Sequence, residues 1–359
     1  MKKKSILFVA DRPDWAYHNL IRTWGDGLKD FDCYVTFEED FNIRAKDFSF
    51  SEKRITNVLN LVKNQKKKFV IDSSSKFSYP KYKTPPVYEV NTGKKVEKIH
   101  FDVIYECAFY FQFMSVFPFT SDKRFVGIYT DSFPHEGPSF DEKTKTDLKK
   151  LSRKEFFEKY LKPYDGIIVG SLGLYNDYKE ISDKVTFANG IFLQDEFVEN
   201  NNVGENEYLI IGWTGNPNRA MKGFREVIEP AIAEVNKTGR KVIIKTKFSG
   251  PYTELLTFYS DVDAIVIASE ADTGPSLFAE ASLSKVPAIS TKIGFPKMII
   301  KDGVNGMIVN RDIDEMKNAI IKLYDNRKLL KSFSERIKQD YLALLDNQIS
   351  IENLKKLFT

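Results

Sequence analysis

Short apolar runs alternate with helical segments along most of this chain, and this alternation constrains the fold more than any other feature. The first run, Ser5–Ala10, lies between charged or turn residues, as a strand buried on both faces does. Strands that alternate with helices form parallel sheets covered by helices on both sides. The 359 residues are enough for two domains of ordinary size. The sequence therefore predicts an α/β protein with two Rossmann-like domains facing a central cleft.

The alternation occurs in two series, separated by the Asn-rich segment 196–207. A polar segment of this composition is typical of a linker. We therefore predict an amino-terminal domain over residues 1–195 and a carboxyl-terminal domain over residues 205–335. Residues 336–359 belong to a long helical stretch, and its packing back onto the first domain is an expectation.

Composition and charge limit the classes of function. The formal net charge of +4 is too small to indicate a nucleic-acid-binding protein. It suits an anionic substrate or contact with an anionic membrane surface. No apolar stretch is long enough to span a bilayer, and Ile6–Ala10 is too short for a secretory signal, so we predict a cytoplasmic protein. Because the glycine motifs of dehydrogenases and P-loop NTPases do not occur, the sequence supports neither class.

The segment Ser269–Ala281 follows a predicted strand and opens a predicted helix. Open α/β sheets bind ligands at the carboxyl ends of their strands, and a helix start offers N–H groups to a phosphate. Gly274 and Pro275 let the backbone approach a ligand closely. Asp272 lies at the rim of the predicted cleft, and Glu280, one turn into the helix, suits two ribose hydroxyls. An ordinary strand–loop–helix with a capping Asp and a surface Glu is the alternative.

The segment Gly212–Gly223 also follows a strand and precedes a helix. It contains Gly215, and its Arg219 and Lys222 share one side of a turn or an early helix. Two cations beside a glycine loop would neutralise a diphosphate, the leaving group of sugar transfer. A basic surface turn is the alternative.

These segments together resemble the GT-B superfamily, specifically glycosyltransferase family 4 (group 1). The matching residues are Asn189–Gly190 with Asp195 and Phe197 at the family's junction motif, Asp272 and Glu280 at its acidic motif, Lys285–Thr291 at the following strand, and Asp302–Gly306 at its D-G-x-N-G loop. The resemblance covers residues 165–325 well and the first 160 residues poorly. The order and spacing of the motifs are specific together, although no single motif is decisive.

The resemblance implies a retaining transferase that moves a hexose-type sugar from a nucleotide-diphosphate sugar to a hydroxyl of a glycan, a lipid-linked glycan or a similar acceptor. It implies that Asp272 contacts hydroxyls of the transferred sugar and that Glu280 holds the ribose. The backbone that lines the donor site would be that of Thr273, Gly274, Pro275, Ser276 and Leu277. No metal or other cofactor is implied, since Arg219, Lys222 and the helix dipole take its place.

The first domain departs from the family's pattern. The family's glycine-rich loop is replaced by Asp11–Ala16, which we assign to the acceptor side of the site. The acceptor-side residues are Asp11, Asp14 and Trp15. The family often has a catalytic-pocket His after a strand of this domain, and the sequence leaves open whether Asp131 or His135 fills that position.

Two features of the sequence could suggest a metal site, and we interpret neither of them as one. The D-x-D sequence Asp261–Asp263 has the form used by metal-dependent glycosyltransferases, but it precedes a strand. We therefore predict a solvated strand entry on the far side of the sheet. The three histidines, His18, His100 and His135, show no metal-ligand spacing.

Other functions stay open at this point. The first acid is Asp where the family usually has Glu, so a non-catalytic nucleotide-sugar-binding protein is one alternative. An inverting transferase and a nucleotide-sugar 2-epimerase are two others. A phage-type DNA glycosyltransferase would need a basic groove in the first domain, and the net charge of +4 argues against a nucleic-acid partner.

Overall fold

The computed structural model describes residues 3–41, 84–113, 117–130 and 142–359. By their backbone contacts the residues divide into two compact units. The first unit comprises residues 1–189 and 350–359, and the second comprises residues 190–349.

The first unit is built around one sheet. Its strands are β1 (Lys4–Ala10), β2 (Phe31–Phe37), β3 (Val87–Glu89), β4 (Lys95–Val96), β5 (His100–Glu106), β6 (Thr120–Ile128), β7 (Gly166–Val169) and β8 (Val185–Phe187). Its helices include α1 (Ala16–Gly27), α2 (Glu142–Lys149), α3 (Arg153–Phe156, continued by the π-helical turn Phe157–Leu161) and α4 (Leu172–Lys179).

The strand order is β4-β3-β2-β1-β5-β6-β7-β8. Strands β2, β1, β5, β6, β7 and β8 run parallel to one another. Strand β3 runs antiparallel to its two neighbours, β2 and β4. The side chains of Ile6–Ala10 are fully buried in the centre of this sheet, as a continuous apolar run predicts. The strand order reverses at β1, so the loop after β1 lies at the point where α/β sheets bind ligands.

The second unit contains a smaller sheet. Its strands are β9 (Leu209–Thr214), β10 (Val242–Lys247), β11 (Ala264–Ile267), β12 (Ala288–Thr291) and β13 (Met307–Val309). Its helices are α5 (Glu229–Lys237), α6 (Leu255–Phe258), α7 (Ser276–Leu283), α8 (Gly294–Ile299), α9 (Ile313–Asp325) and α10 (Arg327–Leu345). The last helix, α11 (Asn347–Phe358), belongs to the first unit from Ser350 onward. The 3₁₀ turn Ala220–Lys222 and the π-helical turn Phe224–Ile228 lie between β9 and α5.

All strands of the second sheet are parallel, in the order β10-β9-β11-β12-β13. The order reverses between β9 and β11, which defines the ligand-binding edge of such a sheet. Helix α7 follows β11, and every residue from Leu277 to Leu283 is buried. A helix that is apolar on nearly all sides belongs in the interior, so α7 and its first turn are rigidly held.

The unit boundaries differ from the predicted ones. Within segment 196–207, Asn200 is buried, its amide donates to the carbonyl of Val262 at 2.8 Å, and its N–H donates to the carbonyl of Ser284 at 2.9 Å. This segment therefore packs on the second unit. The stretch predicted as one helix is two, because α10 ends at Leu345 and α11 starts at Asn347.

The D-x-D segment lies before β11, at the end of the sheet opposite to the ligand-binding edge, as predicted. The prediction that it is solvated is wrong for Asp263. Its buried carboxylate accepts from the N–H of Gly204 at 2.8 Å and from the N–H of Ile210 at 2.9 Å. Asp263 thus ties backbone segments together, while the exposed Asp261 pairs with Lys245 at 2.5 Å.

Candidate functional site

The two segments singled out in the second unit leave neighbouring strands at the switch point of the sheet. The 212–223 segment contains the end of β9, and the 269–281 segment follows β11. These strands pair in parallel, with Gly212 opposite Ile265. The carboxyl ends of parallel neighbours meet at one edge, so the fold brings together residues that are about fifty positions apart in the sequence.

A charged pair joins the two loops. The ammonium of Lys222 forms an ion pair with the carboxylate of Asp272. Their side chains are 24% and 16% exposed, so the pair is partly shielded but open to solvent. One backbone hydrogen bond runs beside it, from the N–H of Glu270 to the carbonyl of Met221 at 2.9 Å. The cation predicted for a diphosphate and the acid predicted for the sugar are therefore direct neighbours.

Arg219 is placed differently from Lys222. It is exposed, and its guanidinium lies 3.2 Å from the sulfur of Met221. Gly215, earlier in the same loop, has a φ of +136°, and a Cβ there would lie 3.2 Å from the ring of Trp213. A side chain at this position would be strained. The loop after β9 thus presents Arg219 to solvent and Lys222 to the acidic loop.

The acidic loop ends at the first turn of α7. Pro275 precedes the helix, and no side chain caps it. The first N–H groups of a helix have no carbonyl partner within the helix, and they carry its partial positive charge. Ser276 is exposed at this end, while Leu277 is buried. The first turn of α7 therefore has the features of an anion-binding helix start.

Two residues that the sequence did not single out hold the acidic loop in place. Gly294, at the start of α8, has a φ of +30°, and a Cβ there would lie 2.1 Å from the carbonyl oxygen of Thr273. A Cβ on Gly274 would lie 2.5 Å from the ring of Phe295. These contacts leave no room for larger residues. The available signal was the Gly-Phe pair that closely follows the strand motif Lys285–Thr291.

Glu280 lies inside the protein, on α7. It is 2% exposed, and the hydroxyl of Tyr259 donates to its carboxylate at 2.7 Å. The same hydroxyl lies 3.3 Å from Oγ1 of Thr214, at the end of β9. The alternative of a surface Glu is thus wrong. Sequence reasoning missed Tyr259.

Burial controls the charge of Glu280. It raises the pKa of the Glu280 carboxyl to about 7, although the hydrogen bond from Tyr259 acts in the opposite direction. A carboxyl near neutrality in a buried position at a ligand-binding edge is a feature of functional sites.

This pKa predicts a dependence of stability on pH. Because the carboxyl pKa is 4.5 in its ordinary state and about 7 in the fold, the folded state holds a proton that the unfolded state releases between these values. The free energy of unfolding therefore falls as pH rises through this window, by about 3 kcal/mol. We expect Glu280→Gln to remove this loss, which urea unfolding at pH 5 and pH 8 would measure. Glu335→Gln, at an exposed position of α10, is the control and should follow the wild type.

In the first unit, the loop after β1 carries the predicted acceptor-side residues. Asp14 has a φ of +60°, its N–H donates to Nδ1 of His18 at 2.9 Å, and its carboxylate pairs with Arg22 at 2.8 Å. Burial lowers the pKa of His18 to about 4, so its ring is neutral at pH 7 and accepts this bond. These bonds hold Asp14 in a left-handed conformation that few residues other than glycine adopt.

Trp15 is 54% exposed, and the guanidinium of Arg12 lies 4.7 Å from its ring centroid. The carboxylate of Asp11 accepts from the N–H of Arg12 at 2.9 Å, and burial raises the pKa of Asp11. The loop therefore presents an aromatic face beside charged groups. Asp131 and His135, between which the sequence left the catalytic position open, lie outside the described residues.

Within the described part of the chain, no cluster of three or more His, Cys, Asp or Glu side chains is arranged to hold a metal ion. No helix in that part combines the length and the apolar character that crossing a membrane demands. Contact with a membrane surface and a cytoplasmic location stay predictions from composition.

Comparison with known proteins gives the chain a family context. Residues 207–340 match the family model "Glycosyl transferases group 1". No curated protein sequence is a significant match. Among solved structures, sucrose-phosphate synthase from Thermosynechococcus elongatus is similar, with a TM-score of 0.62 at 12% identity. The match covers 99% of this chain and 98% of that one.

Two further structures are similar over their whole length. Anabaena Alr3699/HepE in complex with UDP and glucose has a TM-score of 0.58 at 10% identity, with 99% of each chain covered. S. aureus TarM in complex with fondaparinux, alpha-GlcNAc-glycerol and UDP has a TM-score of 0.57 at 15% identity, with 99% of this chain and 100% of that chain covered. At these identities the likeness establishes the fold.

Proposed function

Because the protein has the GT-B fold and its residues 207–340 match the group 1 glycosyltransferase model, we propose that it moves a hexose-type sugar from a nucleotide-diphosphate sugar to a hydroxyl acceptor, with retention and without a metal ion. The observation that carries the proposal is the ion pair between Lys222 and Asp272 at the switch point of the second sheet. A diphosphate needs a cation such as Lys222, and the hydroxyls of the sugar attached to it need an acceptor such as Asp272. The pair offers both groups side by side.

Donor binding follows from these charges. The diphosphate takes the ammonium of Lys222 as its partner, and the exposed Arg219 and the first turn of α7 add positive charge. Loss of its lysine partner leaves the carboxylate of Asp272 free to accept hydrogen bonds from sugar hydroxyls. The ribose hydroxyls are assigned to the carboxylate of Glu280, one oxygen of which accepts from the hydroxyl of Tyr259.

The chemical step is supported by the same groups. The bond between the sugar C1 and the diphosphate oxygen breaks, and a bond from C1 to the acceptor oxygen forms on the same face of the ring. The proton of the acceptor hydroxyl passes to the departing phosphate. Lys222 and the helix N-terminus stabilise the negative charge that develops on the leaving group, which is the role a metal ion has in other transferases.

Acceptor binding is assigned to the loop after β1. Trp15 offers an exposed ring on which a sugar face can stack. Asp11 and Asp14 supply carboxylate acceptors for hydroxyl groups, although Asp14 already pairs with Arg22. The similar structures support a carbohydrate acceptor and a UDP-type donor, since TarM was solved with alpha-GlcNAc-glycerol and UDP and HepE with UDP and glucose.

The proposal is tested by donor screening followed by a transfer assay. One among UDP-, GDP-, ADP- and dTDP-sugars is expected to raise stability by about 2.7 kcal/mol at 100 times its Kd. The same donor should then be consumed in the presence of EDTA, and the product should keep the anomeric configuration.

The matched variants are Glu280→Ala, in the site, and Lys331→Ala, at an exposed ion pair with Glu205 on the same unit. Consumption of the donor should be lost only in the first. Binding without any transfer or hydrolysis would instead indicate a non-catalytic nucleotide-sugar-binding protein, and the absence of binding by all four donors would contradict the proposal.

A further inference from the structure

Arg311 lies directly beyond β13 and reaches into the region between the two donor-site loops. Its Nε donates to the carbonyl of Ala268 at 2.9 Å, and its Nη2 donates to the carbonyl of Ala220 at 2.9 Å. Its Nη1 lies 3.3 Å from the carboxylate of Glu270. The guanidinium thus uses three nitrogens on three different residues.

The two carbonyls belong to the segments that position the charged pair. Ala220 begins the 3₁₀ turn that ends at Lys222, and Ala268 follows β11, four residues before Asp272. Arg311 therefore joins the backbone that carries the cation to the backbone that carries the acid.

The two loops approach closely at the same place. Gly223 has a φ of +68°, and a Cβ there would lie 2.5 Å from the carbonyl oxygen of Ala268. The hydrogen bond from Glu270 to Met221 lies alongside. Arg311 and Glu270 also line an open pocket of ≈380 Å³ at the carboxyl ends of the strands, the edge at which such sheets bind ligands.

We propose that Arg311 is a positioning residue for donor binding: it fixes the separation of the Lys222 and Asp272 loops, so that both side chains stay aimed at the donor when their ion pair opens. This inference rests on the proposed function. The positioning role requires an arginine, because a planar guanidinium donates hydrogen bonds in several fixed directions. A lysine ammonium is a single point charge on a flexible stem. Small displacements of groups that position a substrate have large effects on rate.

The test compares Arg311→Lys and Arg311→Ala with Arg240→Lys. Arg240 also makes a two-nitrogen contact in the second unit, with the carboxylate of Asp325 at 2.9 and 2.7 Å, but it lies before β10, away from the site. Two readouts are needed. The first is hydrogen exchange of the Glu270 amide by NMR. It measures the stability of the hydrogen bond between Glu270 and Met221, which connects the two loops, and it needs no ligand. The second is the affinity for UDP, GDP, ADP and dTDP, with the donor KM and kcat.

We expect faster exchange of the Glu270 amide in both Arg311 variants, and a Kd for the preferred nucleoside diphosphate that is about tenfold higher. The donor KM should rise by a similar factor, with a smaller change in kcat, and Arg240→Lys should match the wild type. Unchanged exchange of the Glu270 amide would contradict the claim that Arg311 holds the two loops together. Faster exchange with unchanged affinity in a protein that binds nucleoside diphosphates would overturn the positioning role.

The two proposals fail in different ways. If the wild type binds none of the four nucleoside diphosphates, the proposed function fails and the positioning role falls with it. The amide exchange then still decides whether Arg311 holds the loops together. If the wild type binds and transfers, only the behaviour of the Arg311 variants decides the inference.

Discussion

Replacing Lys222 with alanine is expected to lower kcat/KM for the nucleotide-sugar donor by about 10²–10³-fold. The ammonium of Lys222 forms an ion pair with Asp272 of the acidic loop. In the proposed mechanism it stabilises the diphosphate as negative charge develops on the leaving oxygen. Its removal also leaves Asp272 without its counter-ion, so that carboxylate repels the incoming diphosphate. Both effects act on the same step.

The measurement is steady-state transfer with the donor identified by screening. Lys222→Arg keeps the charge and should retain more activity than Lys222→Ala. Lys331→Ala removes an equivalent exposed lysine from an ion pair in the same unit and should behave as the wild type. Transfer by Lys222→Ala within twofold of the wild type would contradict the assignment of Lys222 to the diphosphate.

Replacing Phe358 with alanine is expected to lower the free energy of unfolding by about 3–5 kcal/mol, since it empties a large volume in a packed core. Phe358, in α11, is fully buried in the first unit. Its ring centroid lies 5.5 Å from that of Phe125, 6.3 Å from that of Phe31 and 6.5 Å from that of Phe8. The ring therefore joins strands β1, β2 and β6 to the helix.

Urea unfolding with a probe in the first unit measures this loss. The controls share the same helix: Phe358→Leu should recover part of the stability, and Lys356→Ala, at an exposed position, should change little. A loss below about 1 kcal/mol for Phe358→Ala would mean that α11 contributes little to the core of the first unit.

The second unit was the more predictable part of the chain. Its strands β9 and β11 are short apolar runs followed by glycine-containing loops, and such runs mark buried parallel strands. The GT-B fold, predicted from motifs in this region, is confirmed, and residues 207–340 match the group 1 family model. Membership of family 4 specifically stays a prediction. In the first unit, β3 and β4 were not predicted, because an edge strand such as Lys95–Val96 has no continuous apolar run.

The side-chain partners at the site could not be predicted from the sequence. Lys222 was singled out as a cation of a glycine loop, but its pairing with Asp272 depends on β9 and β11 being neighbours. Tyr259 contacts Glu280, and Arg311 contacts Ala220, over 21 and 91 positions of sequence. Local periodicity carries no information on contacts of this range, which are set by the strand order.

The first unit is made from two stretches of sequence, 1–189 and 350–359, so the whole second unit is an insertion within it. During synthesis the ribosome finishes the inserted unit before it makes Phe358. Until then the nascent amino-terminal sheet has apolar surface around Phe8 and Phe125 that water can reach. The first unit is therefore started first and completed last, and a fragment that stops at residue 189 would be prone to aggregate unless the last ten residues were supplied with it.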